Sequence, residues 1–175
     1  TMTKGVGALF KGKGVDHVVG SARLAGGGSV VVDGADDLNG GRILLATGSA
    51  PVELPDLPFD GTHILSSTEA LSLESVPATM VVIGAGAIGL EMGSVWSRLG
   101  TQVEIIEFMN AVLPGADAEI SQQVQRTLKR QGMSFRLSTR ATGADLDGDG
   151  IKLHVAGQEG KNTTVECDCV LVAVG

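Results

Sequence analysis

The sequence has no cluster of lysine or arginine. Its 13 basic residues are scattered and outnumbered by 20 acidic ones, for a formal net charge of −7. Without a basic face there is no electrostatic footprint for a phosphate backbone or an anionic lipid surface, which argues against nucleic acid and membrane partners. Long apolar runs are missing too, since none reaches the roughly 18–20 residues that span a bilayer. Thr1 to Val15 lack the basic start and apolar middle of a signal peptide, and a soluble protein is expected. Cysteine is scarce, with Cys167 and Cys169 the only two. Read within one strand, the pair points the same way without the reach for an easy disulfide, and no further His or Cys completes a metal site. Both are expected to be reduced, structural thiols. Catalytic constellations are equally sparse: His17, His63 and His154 stand isolated, with no Ser, Cys or acid at a catalytic spacing. Asp36 and Asp37 read as a turn, as does "DLDGDG" around Asp147, which resembles part of a calcium loop but lacks its closing Glu.

What the sequence does have is length and apolar content for a folded core, with 175 residues of which 43% are hydrophobic. Thr3 to Lys13 has Val6, Leu9 and Phe10 on one side of a helix with no N-cap before it, as if the chain begins in mid-fold. From Asp16 to Thr47, the runs "DHVVGSARLA", "GGGSVVVDG" and "RILLATG" suit a small antiparallel meander followed by a buried strand. A linker with Pro51, Pro55 and Pro58 follows, where neither a helix interior nor a central strand is expected. From Val76 onward the order changes. "TMVVIG" reads as a buried strand, "AIGLEMGSVWSRLG" as a helix ended by Gly100, "QVEIIE" as a strand, and Asp117 to Gln131 as a helix. Strand signals recur in "FRLSTRATGADL", "IKLHVAG" and "TTVECDCVLVAVG". "RILLATG" and "VLVAVG" are both apolar strands running into a glycine after a β-rich stretch, which suggests two similar units in tandem. The fold class expected is α/β.

One motif carries chemistry. Gly84, Gly86 and Gly89 form G-x-G-x-x-G between a strand and a helix, and the next strand ends in the acid Glu107. In such a motif the first glycine makes the tight turn, the second lets a pyrophosphate approach the backbone, and the third lets helix and strand pack closely. The phosphates sit at the helix N-terminus, where free N–H groups and the positive dipole end favour them. Glu107 stands roughly 20 residues on, where a carboxylate accepts from a ribose 2′-OH and repels a 2′-phosphate. Phe108 to Ala111 include no Arg or Lys, so NAD is expected over NADP. Glu91, early on the helix, has two open readings: a group at the nicotinamide, or a solvated helix acid.

"LLATGSAP", "LSSTEALSLESVPATMVVIGAGAIGLEMGSVWSRLGTQVEIIE" and "LVAVG" together resemble the dihydrolipoamide dehydrogenases, a family of flavoprotein disulfide reductases. That resemblance implies a Rossmann-like NAD-binding domain, a parallel sheet with helices plus a β-meander, over residues 76–175. It implies the end segment of a similar FAD-binding domain over 1–57, with a linker over 58–75. It places Gly84, Ala85, Gly86, Ala87, Ile88, Gly89, Leu90 and Glu91 at the NAD phosphates and nicotinamide side, and Glu107 at the adenosine ribose. Ala141 falls near the adenine and Gly175 on the closing strand, while Thr47, Gly48 and Ser49 fall against the flavin nucleotide. The implied activity passes electrons from dihydrolipoamide through a redox disulfide and FAD to NAD. The implied partner is dihydrolipoamide on a carrier protein of a 2-oxo acid dehydrogenase complex, and the implied assembly is a homodimer. The implied location is the mitochondrial matrix in a eukaryote and the cytoplasm otherwise. The family's C-x-x-x-x-C disulfide, its first FAD-binding G-x-G-x-x-G and its interface domain with a His and Glu pair are not in this sequence. An internal slice, inactive alone, is therefore expected. A non-catalytic nucleotide-binding module and a related reductase, such as a mercuric reductase, stay open as alternatives.

Overall fold

A glycine-rich first segment and an apolar second segment fold differently. The computed structural model describes residues 2–148, 150–157 and 160–174, and these divide into two units, Thr1–Gly48 and Ser49–Gly175.

In the first unit, helix α1 (Met2–Lys13) buries none of its residues, and its chain leaves through Gly14 at φ +66°. Strands β1 (Ala22–Gly26), β2 (Ser29–Val32) and β3 (Leu38–Asn39) form the expected antiparallel meander in that order. The buried strand expected at "RILLATG" does not form. Residues 42–48 are coil, and Leu44 is 89% exposed. An apolar strand needs neighbours that pair its backbone and cover its faces. Among the described residues no strand pairs with this run, since the meander's strands pair only with one another. The first unit therefore repeats the meander of the second but not its parallel sheet.

In the second unit, β4 (Ile64–Leu65) and helix α2 (Ser67–Ala70) arise within the stretch expected to be linker. Ser66 explains α2: its hydroxyl accepts from the Thr68 amide, and the Glu69 carboxylate reaches back to the Ser66 amide, a capping box. Next come β5 (Thr79–Ile83), α3 (Ala87–Leu99), β6 (Gln102–Ile106), α4 (Ala118–Arg130) and β7 (Ser134–Arg136). The meander β8 (Arg140–Asp147), β9 (Gly150–Ala156) and β10 (Asn162–Cys167) follows, and β11 (Cys169–Val172) closes the chain. Helix α3 ends at Gly100 in a left-handed conformation, and α4 starts at Asp117, whose carboxylate accepts from the Glu119 amide.

The five-stranded sheet runs β4-β11-β5-β6-β7, all parallel, and the meander forms its own sheet in the order β10-β9-β8. Alternation along the strands makes two cores. Leu65, Met80, Val82, Val103, Ile105 and Leu171 face the helices, where Ala70, Leu90, Met92 and Trp96 meet them. Ile64, Val81, Ile83, Ile106, Val170 and Val172 face the meander, where Ile151, Leu153 and Val155 meet them. Helices lie on one face and the meander on the other. This is the Rossmann-like arrangement in which βα connections end at the carboxyl edge of a parallel sheet.

The two cysteines do not share a strand. Asp168 breaks the chain between β10 and β11, its carboxylate accepting from the Thr79 amide at 2.8 Å and its own amide donating to Thr79 Oγ1 at 2.9 Å. Cys167 consequently joins the meander-side core and Cys169 the helix-side core. Both are free thiols. Burial, assisted by the Asp168 charge, pushes Cys167 up to about 11, and burial with the neighbouring Cys167 pushes Cys169 up to about 12. Because the folded values exceed the ordinary value of 9.0, the folded state holds these protons more tightly than the unfolded chain. Stability is then full below pH 9 and falls as pH rises towards 11–12. Native protein at pH 8 is expected to leave both thiols unlabelled by a maleimide, with labelling appearing on denaturation and the unfolding midpoint falling above pH 9. Rapid labelling of native protein at pH 8 would contradict this account.

Candidate functional site

Strand β5 runs into Gly84 at φ +106°, a left-handed conformation that side-chain-bearing residues avoid. Its amide donates to the Ile106 carbonyl at 2.8 Å, so the turn is tied to the end of the neighbouring strand β6. A methyl built on Gly84 would stand 2.7 Å from the Ala173 carbonyl oxygen, just past β11, and one on Gly89 would overlap the Gly84 carbonyl. A methyl on Gly86 would meet nothing within 4 Å. Two glycines are thus required by packing, and the middle one leaves open space in front of the helix. Gly93, one turn beyond Gly89, also faces the sheet, against Met133, Ile105 and Val103.

Gly86 is the N-cap of α3 and offers no side chain to the helix amides, whereas α2 and α4 are capped by Ser66 and Asp117. An uncapped helix start beside open space suits an anion that accepts from those amides. Ala87 and Ile88, in the first turn, are exposed, while Ala85, Gly89 and Leu90 are buried.

Glu107 follows β6 directly. It is only 7% exposed, and both carboxylate oxygens accept from backbone: Oε2 from Ala85 N–H and Oε1 from Met109 N–H, each at 2.7 Å. The carboxylate therefore bridges the glycine turn to the segment after β6. The Ala85 carbonyl in turn accepts from Leu113 N–H at 2.8 Å. A buried carboxylate holding two amides is oriented before any ligand arrives.

Gly84, Glu107 and Ala141 meet in one cavity of about 180 Å³, with Leu54, Phe108, Thr139, Arg140 and Val174 around them. It opens at the carboxyl edge of the sheet, where parallel α/β proteins take ligands. A larger hollow of about 350 Å³ lies at the opposite edge, around Thr79, Gln102, Gly132 and Ser134, and no helix N-terminus lines it. Glu91 is placed apart from Glu107. It lines a cleft of about 590 Å³ with Ala87, Leu90, Ser94 and Arg98 of α3 and with Leu113, Val124 and Leu128. Thr47, Gly48 and Ser49 are exposed, with Gly48 at φ +81°. Gly175 lies outside the described residues, as does Asp149 of the "DLDGDG" turn. His154 is not isolated, since its Nε2 is 2.8 Å from Asp145 Oδ2 on the neighbouring strand β8.

Arg140 and Phe108 are among the lining residues that the sequence did not reveal. Arg140 is 33 residues from Glu107 in sequence, and only the pairing of the chain after β6 with the β7–β8 turn brings them to one cavity: Thr139 N–H donates to the Glu107 carbonyl at 2.9 Å.

A parallel sheet with helices on one face, a glycine turn opening a helix and an acid at the end of the next strand define a Rossmann-like unit. The sequence profile of the pyridine nucleotide-disulphide oxidoreductases matches residues 1–175. The mitochondrial dihydrolipoyl dehydrogenase of Pisum sativum is 44% identical over 99% of this chain and 36% of its own length. Dihydrolipoyl dehydrogenase 3 of Pseudomonas putida is 45% identical over 99% of this chain and 38% of its own. Among solved structures, LpdA of Mycobacterium tuberculosis shares the fold with a TM-score of 0.83 at 24% identity, covering 99% of this chain and 39% of that one. The chain thus spans little more than a third of the length of these proteins, and it belongs to the pyridine nucleotide-disulphide oxidoreductase family.

The same substitution at two glycines should have opposite effects. Gly86→Ser adds a good N-cap in open space and should leave the thermal midpoint unchanged or slightly raised. Gly89→Ser forces α3 off the Gly84 carbonyl and should cost about 1–3 kcal/mol. Thermal unfolding of the two variants checks this; equal destabilisation would contradict it.

Proposed function

We propose that the second unit contains, over residues 76–175, the NAD-binding domain of a dihydrolipoyl dehydrogenase. The observation that carries this reading is the Glu107 carboxylate bonded to the Ala85 amide of the glycine turn, which ties a ribose acceptor to the turn that would cradle the phosphates. The open space at Gly86 and the uncapped start of α3 fit a pyrophosphate. Glu107 fits the adenosine ribose, and Ala141 the adenine side. Ala85, Ala87, Ile88 and Leu90 complete the turn and first helical residues around the phosphates, and Glu91 serves the nicotinamide side. The pyridine nucleotide, when bound, supplies the hydride acceptor. This chain's contribution is to hold and orient it and, through the buried negative charge of Glu107, to reject a 2′-phosphate.

In this reading residues 76–175 are the NAD domain, 58–75 the connection that also lends β4 to the sheet, and 1–57 the end of an FAD domain. Thr47, Gly48 and Ser49 then lie against the flavin nucleotide. The whole enzyme oxidises dihydrolipoamide borne by a carrier protein of a 2-oxo acid dehydrogenase complex. It works as a homodimer, in the mitochondrial matrix of a eukaryote or the cytoplasm of a bacterium. The mitochondrial and bacterial relatives support that pairing of locations, and among the described residues no helix is long and apolar enough to cross a membrane. Cys167 and Cys169 are not the redox pair: they sit in different cores with raised thiol pKa values, the reverse of a reactive thiolate.

Titration of the protein with NADH and NADPH tests the reading. NADH should bind at least about tenfold more tightly, and Glu107→Gln should weaken NADH binding by about tenfold and narrow the gap, since charge-assisted hydrogen bonds are worth about 1.5–3 kcal/mol. Equal binding of both nucleotides by the unmodified protein would overturn it.

A further inference from the structure

Phe108 stands beside Glu107 in sequence but in the opposite environment: Glu107 is 7% exposed and Phe108 is 67% exposed, at the mouth of the same cavity. Its place is held from both sides. Thr139 N–H donates to the Glu107 carbonyl and Ser138 N–H to the Met109 carbonyl, each at 2.9 Å, so the backbone on either side of Phe108 is bonded to the β7–β8 turn. That turn reverses through Ser138 at φ +52°, a left-handed conformation that a serine adopts at a cost and only where its surroundings enforce it. The next strand then begins with Arg140, and its guanidinium lies over the Phe108 ring, 5.6 Å from the ring centre.

A phenyl face and a flat guanidinium are side-chain surfaces on which a purine stacks. The rest of the cavity wall offers aliphatic groups from Leu54, Ile83, Ile106, Ala141 and Val174, one carboxylate, and a hydroxyl on Thr139 that is already donated to the Leu137 carbonyl. Phe108 and Arg140 are the only flat π surfaces among the described residues lining it. A nucleotide whose ribose meets Glu107 carries its base one sugar away, within reach of residue 108.

We infer that Phe108 and Arg140 together form an adenine-stacking platform, the cation orienting the ring and the ring presenting its face to the base. The inference rests on the nucleotide reading above and adds the residues that grip the base. It also accounts for a cation beside an NAD-selective acid: stacked on Phe108, the guanidinium serves the base.

The test is titration of the purified protein with NADH and with AMP, a probe that has the adenosine half alone. Phe108→Ala should weaken both by about tenfold, Phe108→Trp should restore both, and Phe108→Leu, which keeps bulk without a π face, should not. Arg140→Ala should weaken both by about threefold. Because Phe108 is exposed, thermal midpoints should stay near that of the unmodified protein. If Phe108→Ala and Arg140→Ala leave NADH and AMP binding within twofold while Glu107→Gln still weakens NADH, the platform is wrong and the nucleotide site stands. If Phe108→Leu binds as well as Phe108→Trp, the position is mere packing and the platform is again wrong. An Arg140→Ala variant impaired only towards NADPH would recast Arg140 as a phosphate receptor and overturn its role here. If the unmodified protein binds neither NADH nor AMP, the nucleotide reading fails and takes the platform with it.

Discussion

The bond from the Ala85 amide to the Glu107 carboxylate is the constraint around which the carboxyl edge of the second unit's sheet is organised. A carboxylate 7% exposed is stable only if its oxygens find donors, and the donors at hand are amides of the glycine turn and of Met109. Satisfying that one group fixes the turn that opens α3 and the path of the chain leaving β6. It also fixes how the acid sits in the cavity wall. The acid is thereby a structural fastener.

The rest of the unit keeps that fastener in register. Gly84 and Gly89 let the turn, α3 and β11 approach more closely than any side chain allows. The strict alternation of β5 and β11 between two cores then pins the sheet, because a one-residue slip would exchange the helix-facing and meander-facing sets. Asp168 serves the same end from the amino edge. By bonding both ways to Thr79 it breaks β10 from β11, so that the meander can fold over one face while β11 enters the sheet between β4 and β5. The cysteines on either side are carried to opposite faces by that break and serve as small apolar side chains.

The first unit shows the converse. Its meander forms from local antiparallel pairing, but the apolar run 42–48 stays exposed, because hydrophobicity creates demand for a sheet without providing the sheet. Leu44 and Leu45 are as apolar as Val81 and Val82, and their opposite fates reflect the presence or absence of pairing strands.

The sequence by itself determined the features that depend on neighbours along the chain. The order of strands and helices from Val76, the caps at Asp117 and Gly100, the glycine turn at Gly84, Gly86 and Gly89 and the acid at Glu107 follow from local conformational preference and short-range periodicity. The tertiary structure alone decided what depends on long-range pairing. It set the place of β11 between β4 and β5, the entry of β4 from a proline-rich connection whose capping box could have been read at Ser66 and Glu69, and the separation of Cys167 from Cys169. It also parted Glu91 from Glu107 and brought Arg140 over Phe108. The physical reason is that periodicity tells a strand which residues share a face, but which strand lies beside it is settled only when backbone bonds and two cores must be satisfied at once.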